Sequence, residues 1–212
     1  MLDGDLALPA NSTGLVVFVH GSGSSRHSPR NQSVARGLNH RGLGTLLFDL
    51  LTPDEGRIDA VTGELRFDIG FLAQRLAAVI DWIATQGNVD GLPLGMFGAS
   101  TGAAAALVVA ATRPSRVAAV VSRGGRPDLA LPALSRVRAP TLLIVGGADT
   151  EVIALNERAY RRISATKELV LVDRATHLFE EPGALDEVTR LAGDWFDRYL
   201  WATSGPKAAP TA

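Results

Sequence analysis

The chain has 212 residues, a length typical of one domain, and 46% of them are hydrophobic, which is enough to bury a core without a metal or a disulfide. Its 21 basic and 22 acidic side chains form no long run of one sign, which argues against a nucleic-acid or membrane-surface partner. The sequence contains no cysteine, so disulfides, thiolate metal sites and a cysteine nucleophile are excluded.

The first residues, MLDGDLALPANSTG, lack the apolar stretch of a signal peptide. The longest weakly polar run, Ala103 to Ala111, is far shorter than the roughly 20 residues that a bilayer span requires. We therefore expect a soluble, cytoplasmic protein with no membrane partner. The oligomeric state, including a homodimer, cannot be read from the sequence.

Six short apolar runs predict strands that are buried on both faces, as in a parallel sheet. In chain order they are Leu15–Val19, Thr45–Phe48, Pro93–Phe97, Val117–Ser122, Thr141–Val145 and Glu168–Val172. The segments between and after them predict helices at Pro29–Arg41, Ile69–Gln86, Thr101–Thr112, Glu151–Ile163 and Ala184–Leu200.

This alternation predicts an α/β fold with a mainly parallel, doubly wound sheet and helices on both faces. Leu51–Arg66 is polar and predicts a surface loop or a small hairpin. Few residues separate the fourth and fifth predicted strands, so we expect little or no cap domain. Residues 1–201 form one predicted domain, and 202–212 predict a disordered tail.

A G-x-S-x-G pattern spans Gly98–Gly102, directly after a predicted strand and directly before a predicted helix. Such a turn lifts the serine hydroxyl above the sheet, so Ser100 is the candidate nucleophile. The alternative is a plain tight turn with an idle serine, because small residues often cluster in turns.

A serine hydroxyl is a weak nucleophile and needs a base beside it. His177 and Asp149 follow the last two predicted strands, and the chain order Ser, Asp, His is the order found in α/β-hydrolases. His177 is the candidate base and Asp149 the acid that orients it. Glu151 and Asp173 are competing acids.

The stretch His20-Gly21-Ser22-Gly23 follows the first predicted strand and can present backbone N–H groups to an oxyanion. The candidate donors are the N–H groups of Thr101 and of Ser22 or Gly23. We expect His20 to brace this loop through a side-chain bond. The glycine spacing does not fit a dinucleotide-binding loop.

Three arginines are candidate substrate ligands, since a guanidinium can hold a carboxylate or phosphate. Arg123 and Arg126 follow the fourth predicted strand, and Arg26 follows the candidate oxyanion loop. The alternative is that they pair with carboxylates such as Asp128 or Glu55 on the surface.

The order of these motifs and the stretches VVFVHGSGSSRHSPRN, TLLFDLLTPDE and SRGGRPDLA resemble the α/β-hydrolase superfamily. Over roughly residues 14–200 the chain is similar to small, bacterial, dienelactone-hydrolase-related members, some of them fused to a phosphoribosyltransferase domain. The resemblance implies a triad of Ser100, Asp149 and His177, with Ser22 and Thr101 as oxyanion donors. Dienelactone hydrolases use a cysteine nucleophile, which this chain lacks, so the lactone substrate is not implied.

Together these features predict an esterase that cleaves small carboxylic esters with no metal and no cofactor. A thioesterase, lactonase or acyltransferase could use the same triad. A non-catalytic relative that binds a small molecule is the alternative from another class.

Overall fold

The computed structural model describes residues 2–89 and 91–200, and the predicted tail at 202–212 lies outside this part of the chain. Its core is a seven-stranded sheet with the strand order β1-β3-β2-β4-β5-β6-β7. All neighbouring strands run parallel except β1, which pairs antiparallel with β3 at one edge. The strands are β1 (Gly4–Ala7), β2 (Leu15–Val19), β3 (Gly44–Phe48), β4 (Leu94–Ala99), β5 (Ala119–Arg123), β6 (Thr141–Gly146) and β7 (Lys167–Val172).

Seven helices accompany the sheet in the described residues. They are α1 (Pro29–His40), α2 (Pro53–Thr62), α3 (Ile69–Ile83), α4 (Thr101–Thr112), α5 (Leu131–Leu134), α6 (Thr150–Arg162) and α7 (Ala184–Leu200). Helices α1 and α7 pack on one face of the sheet, and α3, α4, α5 and α6 pack on the other. Two hydrophobic cores therefore enclose the central strands, as the apolar runs predict.

The predicted doubly wound α/β fold is confirmed, and the six predicted strands lie within two residues of the observed ones. Strand β1 is not predicted, because its four residues are all exposed and carry no apolar pattern. Only short 3₁₀ and helical turns connect β5 to β6 in place of a cap.

The prediction of a loop or hairpin at Leu51–Arg66 is wrong, because this segment contains α2. Thr52 caps the helix: its hydroxyl accepts from the Glu55 N–H, and the Glu55 carboxylate accepts from the Thr52 N–H. This pattern is a capping box with proline at the first helical position. It is the sequence signal that could have identified the helix.

Within the described chain, no helix has the length and apolar character needed to cross a bilayer.

Candidate functional site

Ser100 occupies the sharp turn between β4 and α4. Its backbone has φ 50° and ψ −122°, a conformation that a residue with a side chain adopts only under strain. Two glycines permit the turn. A Cβ on Gly98 would lie 2.5 Å from Ala103 Cα, and one on Gly102 would overlap the carbonyl oxygens of Val19 and His20. The turn therefore presents the half-buried Ser100 side chain at the carboxyl end of the sheet.

His177 and Asp149 come together from the loops that follow β7 and β6. The Nδ1 atom of His177 lies 2.7 Å from Asp149 Oδ2. Because a carboxylate only accepts, Nδ1 carries the hydrogen and Nε2 is left as the basic nitrogen. The competing acid Asp173 instead pairs with its exposed neighbour Arg174.

The Ser100 side of the site and the His177 imidazole both contact the short turn that follows β5. The Ser100 N–H donates to the Arg123 carbonyl at 3.3 Å, and the Arg126 N–H donates to the Ser100 carbonyl at 3.0 Å. Between them, the Cβ position of Gly124 lies 3.6 Å from His177 Cε1. In residues 2–89 and 91–200, no hydrogen bond joins the Ser100 hydroxyl to the imidazole.

The β2–α1 loop, residues 20–28, is held by the buried side chain of His20. The Leu50 N–H donates to its Nε2 at 3.0 Å, and its Nδ1 lies 2.9 Å from the Gly21 carbonyl. Nε2 is thus the acceptor and Nδ1 the donor, so the ring is neutral. Burial lowers the pKa of His20, which keeps it neutral. The expected bracing role of His20 matches this geometry.

The candidate oxyanion donors lie beside Ser100. A Cβ on Gly21 would come within 2.9 Å of Ser100 Cβ, so the β2–α1 loop touches the candidate nucleophile. The Ser22 N–H donates to the Thr101 hydroxyl at 2.9 Å. Among the described residues, the N–H groups of Thr101 and Gly23 have no acceptor, so both are available to an incoming oxyanion.

A cavity of about 390 Å³ opens next to these donors. It lies between the β2–α1 loop and α2, and Thr101 forms part of its wall. Its lining is mixed, with the apolar side chains of Leu50 and Leu72 beside charged groups. A small acyl or alcohol group fits this volume.

Two of the three candidate substrate arginines are neutralised by carboxylates. Arg126 forms a two-point bond with Asp128, at 2.9 and 2.8 Å, which raises the pKa of Arg126. Arg26 pairs with Asp49 and lies within 4 Å of the Asp3 and Asp5 carboxylates. Both side chains therefore fit the alternative interpretation, in which the arginines pair with carboxylates of the protein.

Arg123 differs, because its buried guanidinium contacts no carboxylate in the described chain. Its Nη2 donates to Asn31 Oδ1 at 3.0 Å, its Nε has no partner, and its Cζ lies 5.8 Å from the centre of the Phe179 ring. Burial, with a smaller effect of the Arg30 charge, lowers the pKa of Arg123 to about 10.

Sequence reasoning missed Asp59 and Arg66, which are adjacent to each other in the lining of the cavity. They lie in the segment for which the sequence predicts a loop, and no motif marks them. In the part of the chain described, no group of three or more His, Asp or Glu side chains could hold a metal ion.

Comparison with known proteins gives a consistent family. Residues 14–177 match a family model described as the alpha/beta hydrolase fold. The structure of a dienelactone hydrolase from Anabaena variabilis is 58% identical, with a TM-score of 0.93 over 94% of this chain and 92% of that one. Est1E from Butyrivibrio proteoclasticus, solved with ferulic acid bound, shares the fold at 16% identity, with a TM-score of 0.78 over 93% and 95% of the two chains.

A Mycobacterium tuberculosis protein provisionally named a phosphoribosyl transferase is 57% identical over 197 residues. The match covers 93% of this chain but only 44% of that relative, so the chain spans less than half of its length.

Proposed function

Because the chain belongs to the α/β-hydrolase fold family and is related within it to dienelactone hydrolases, we propose that it is a serine hydrolase that cleaves small carboxylic esters. The observation that carries this proposal is the 2.7 Å bond between His177 and Asp149, beside a serine held at a strained turn. This arrangement supplies a nucleophile, a base and an orienting acid on one edge of the sheet.

In the first half of the proposed reaction, Ser100 Oγ attacks the ester carbonyl carbon and His177 Nε2 takes the hydroxyl proton. Asp149 stabilises the imidazolium that forms. The negative charge on the carbonyl oxygen is held by the N–H of Thr101 and a second N–H from the β2–α1 loop. When the C–O bond breaks, His177 returns the proton to the leaving alcohol and an acyl-enzyme remains.

In the second half, His177 takes a proton from water, and the hydroxide attacks the acyl carbon. The bond to Ser100 breaks, the acid leaves, and Ser100 recovers its proton from His177. The Gly23 N–H is free to serve as the second oxyanion donor, whereas the Ser22 N–H must first release the Thr101 hydroxyl.

The name of the Mycobacterium tuberculosis relative describes a protein of which this chain matches 44%, so it supports no transferase activity here. The features at Ser100, His177 and Asp149 are those of acyl transfer.

Steady-state hydrolysis of p-nitrophenyl acetate and butyrate tests the proposal. We expect Ser100→Ala to lower kcat by about 10⁴-fold or more, because the nucleophile is lost. Ser115→Ala, an exposed serine far from the site, is the matched control and should keep full activity. Equal rates for wild type and Ser100→Ala would show that Ser100 is not the nucleophile.

A further inference from the structure

The 390 Å³ cavity lies on the side of Ser100 that is away from His177. In the sheet, β2 and β3 lie on one side of β4, and β5, β6 and β7 on the other. Apart from Asp3 and Thr101, the residues that line the cavity follow β2 or β3, while His177 and Asp149 follow β7 and β6. Since His177 must protonate the leaving alcohol, the alcohol lies on its side and the acyl group extends into the cavity.

Arg66 is held rigidly in the wall of this cavity by Asp59. The Arg66 N–H donates to Asp59 Oδ1 at 3.0 Å, its Nε donates to Oδ2 at 2.7 Å, and its Nη2 donates to the Asp59 carbonyl at 2.5 Å. The Asp59 side chain is only 4% exposed. The two bonds from guanidinium nitrogens fix the plane of the guanidinium, and the backbone bond holds the Arg66 main chain against the same residue.

The third nitrogen of this guanidinium has no acceptor among the described residues. Arg66 Nη1 lies 3.9 Å from the Cβ position of Gly23, which places it against the β2–α1 loop. A fixed donor with free hydrogens therefore stands at the cavity wall, close to the proposed oxyanion donors.

The charges around the cavity do not favour an anionic ligand. Asp59 offsets the charge of Arg66, and Asp49 and Asp3 offset that of Arg26. The lining contains three aspartates against two arginines, so a carboxylate would gain no net attraction. An uncharged oxygen would still accept a hydrogen bond from Nη1.

We propose that Arg66 determines acyl specificity: the cavity takes a short acyl group that carries an uncharged oxygen acceptor, and Nη1 donates to that oxygen. This inference rests on the proposed esterase function. It makes the natural substrate an ester of an oxo- or hydroxy-acyl group rather than of a plain or anionic fatty acid.

Three p-nitrophenyl esters of similar size test this inference. The 4-oxopentanoate presents a neutral acceptor, the 4-methylpentanoate replaces it with an apolar branch, and the 4-sulfobutanoate presents an anion. After correction for the uncatalysed rates, wild type should prefer the 4-oxo ester to the 4-methyl ester in kcat/KM by about tenfold or more, as expected for a hydrogen bond from a charged donor. The sulfonate should be the poorest substrate.

Arg66→Lys is the informative variant, because the ammonium can still pair with buried Asp59 but has no second terminal nitrogen. It should remove the preference for the 4-oxo ester, measured as the ratio of the kcat/KM values for the 4-oxo and the 4-methyl esters. Arg75→Lys is the matched control. Arg75 pairs with Glu55, neither residue lines the cavity, and the preference should be unchanged.

A wild type that does not distinguish the 4-oxo from the 4-methyl ester overturns the inference, whether or not Arg66→Lys folds. The same holds if the sulfonate is the best substrate, or if folded Arg66→Lys keeps the wild-type preference. Hydrolysis of plain esters without these preferences would refute only the role of Arg66. Failure to hydrolyse any ester would refute the proposed function.

Discussion

The buried guanidinium of Arg123 is costly to the fold at neutral pH. Its pKa falls to about 10 because burial disfavours the charged form, and every tenfold change in an acid dissociation constant corresponds to about 1.4 kcal/mol. The charge therefore lowers the free energy of unfolding by about 3 kcal/mol below pH 10, and this cost is relieved as the pH rises above about 10.

Arg123→Met should stabilise the protein at pH 7. The substitution removes the buried charge but also the bond to Asn31 and the contact with the Phe179 ring, which together contribute about 2 kcal/mol. We expect a net gain of about 1 kcal/mol in urea unfolding at pH 7. A loss of more than about 1 kcal/mol would show that the guanidinium stabilises the native state.

The lowered pKa of His20 makes the free energy of unfolding depend on pH, and the direction of the pKa shift determines the direction of that dependence. Its pKa in the folded protein is below the ordinary 6.5, so the unfolded chain binds the proton more readily. Its contribution to stability is complete above pH 6.5 and is lost as the pH falls through the lowered value. His20→Gln, whose amide oxygen can accept from the Leu50 N–H, should lose less stability than wild type between about pH 7 and 5. Parallel loss in both proteins would contradict this assignment.

At the scale of single residues, sequence motifs identified the candidate side chains but did not reveal which groups those side chains contact. Ser100, His177 and Asp149 could be named because each residue type follows a recognisable strand. The different surroundings of Arg123 and Arg126 could not be predicted, because both lie near the end of the same strand and only the packing distinguishes them. Arg66 could not be found either, since its partner Asp59 belongs to a helix that hydrophobic patterning does not predict.

Helix α4 must approach β2 closely to hold the turn at Ser100, and Gly102 makes this possible. Gly102→Ala would drive a methyl group into the Val19 and His20 carbonyl oxygens, so we expect a loss of about 3 kcal/mol or more, or failure to fold. Gly56→Ala, in α2, is the matched control because nothing lies within 4 Å of its Cβ position.

Alanine at position 56 should stabilise the protein by about 0.5–1 kcal/mol, the usual gain over glycine inside a helix. Thermal and urea unfolding of both variants measure these effects. Similar stability changes in the two variants would show that α4 does not require the close approach.

Helices and strands could be predicted where burial produces a recognisable pattern of apolar residues in the sequence. Strands β2 and β6 are buried along their whole length and appear as continuous apolar runs. Helix α2 has no such pattern, because Ile58 and Val61 are exposed and only Asp59 is buried. Its boundaries are set by local capping, which hydrophobic periodicity does not detect.

The topology of the whole molecule explains how distant residues meet. Ser22, Ser100, Asp149 and His177 each follow a different parallel strand, so all lie at one edge of the sheet. Parallel strands with crossover helices produce such an edge, and ligands of open α/β sheets bind there. The short connection between β5 and β6 carries no cap over this end of the sheet.

An uncapped edge and a cavity of 390 Å³ predict a preference for short acyl chains. We expect kcat/KM to fall along a series of p-nitrophenyl esters from butyrate to decanoate, because a longer chain has no covered apolar surface to occupy. Higher activity on chains longer than about eight carbons would contradict an open, shallow site.

The most direct measurement of the central claim is the position of a covalent adduct. Folded protein is treated with a fluorophosphonate, digested and mapped by mass spectrometry, alongside His177→Ala. We predict one phosphonyl group on Ser100 in the wild type and at least about a hundredfold slower labelling in the variant, because the base is lost. An adduct on another residue, or none on folded wild-type protein, would contradict the account.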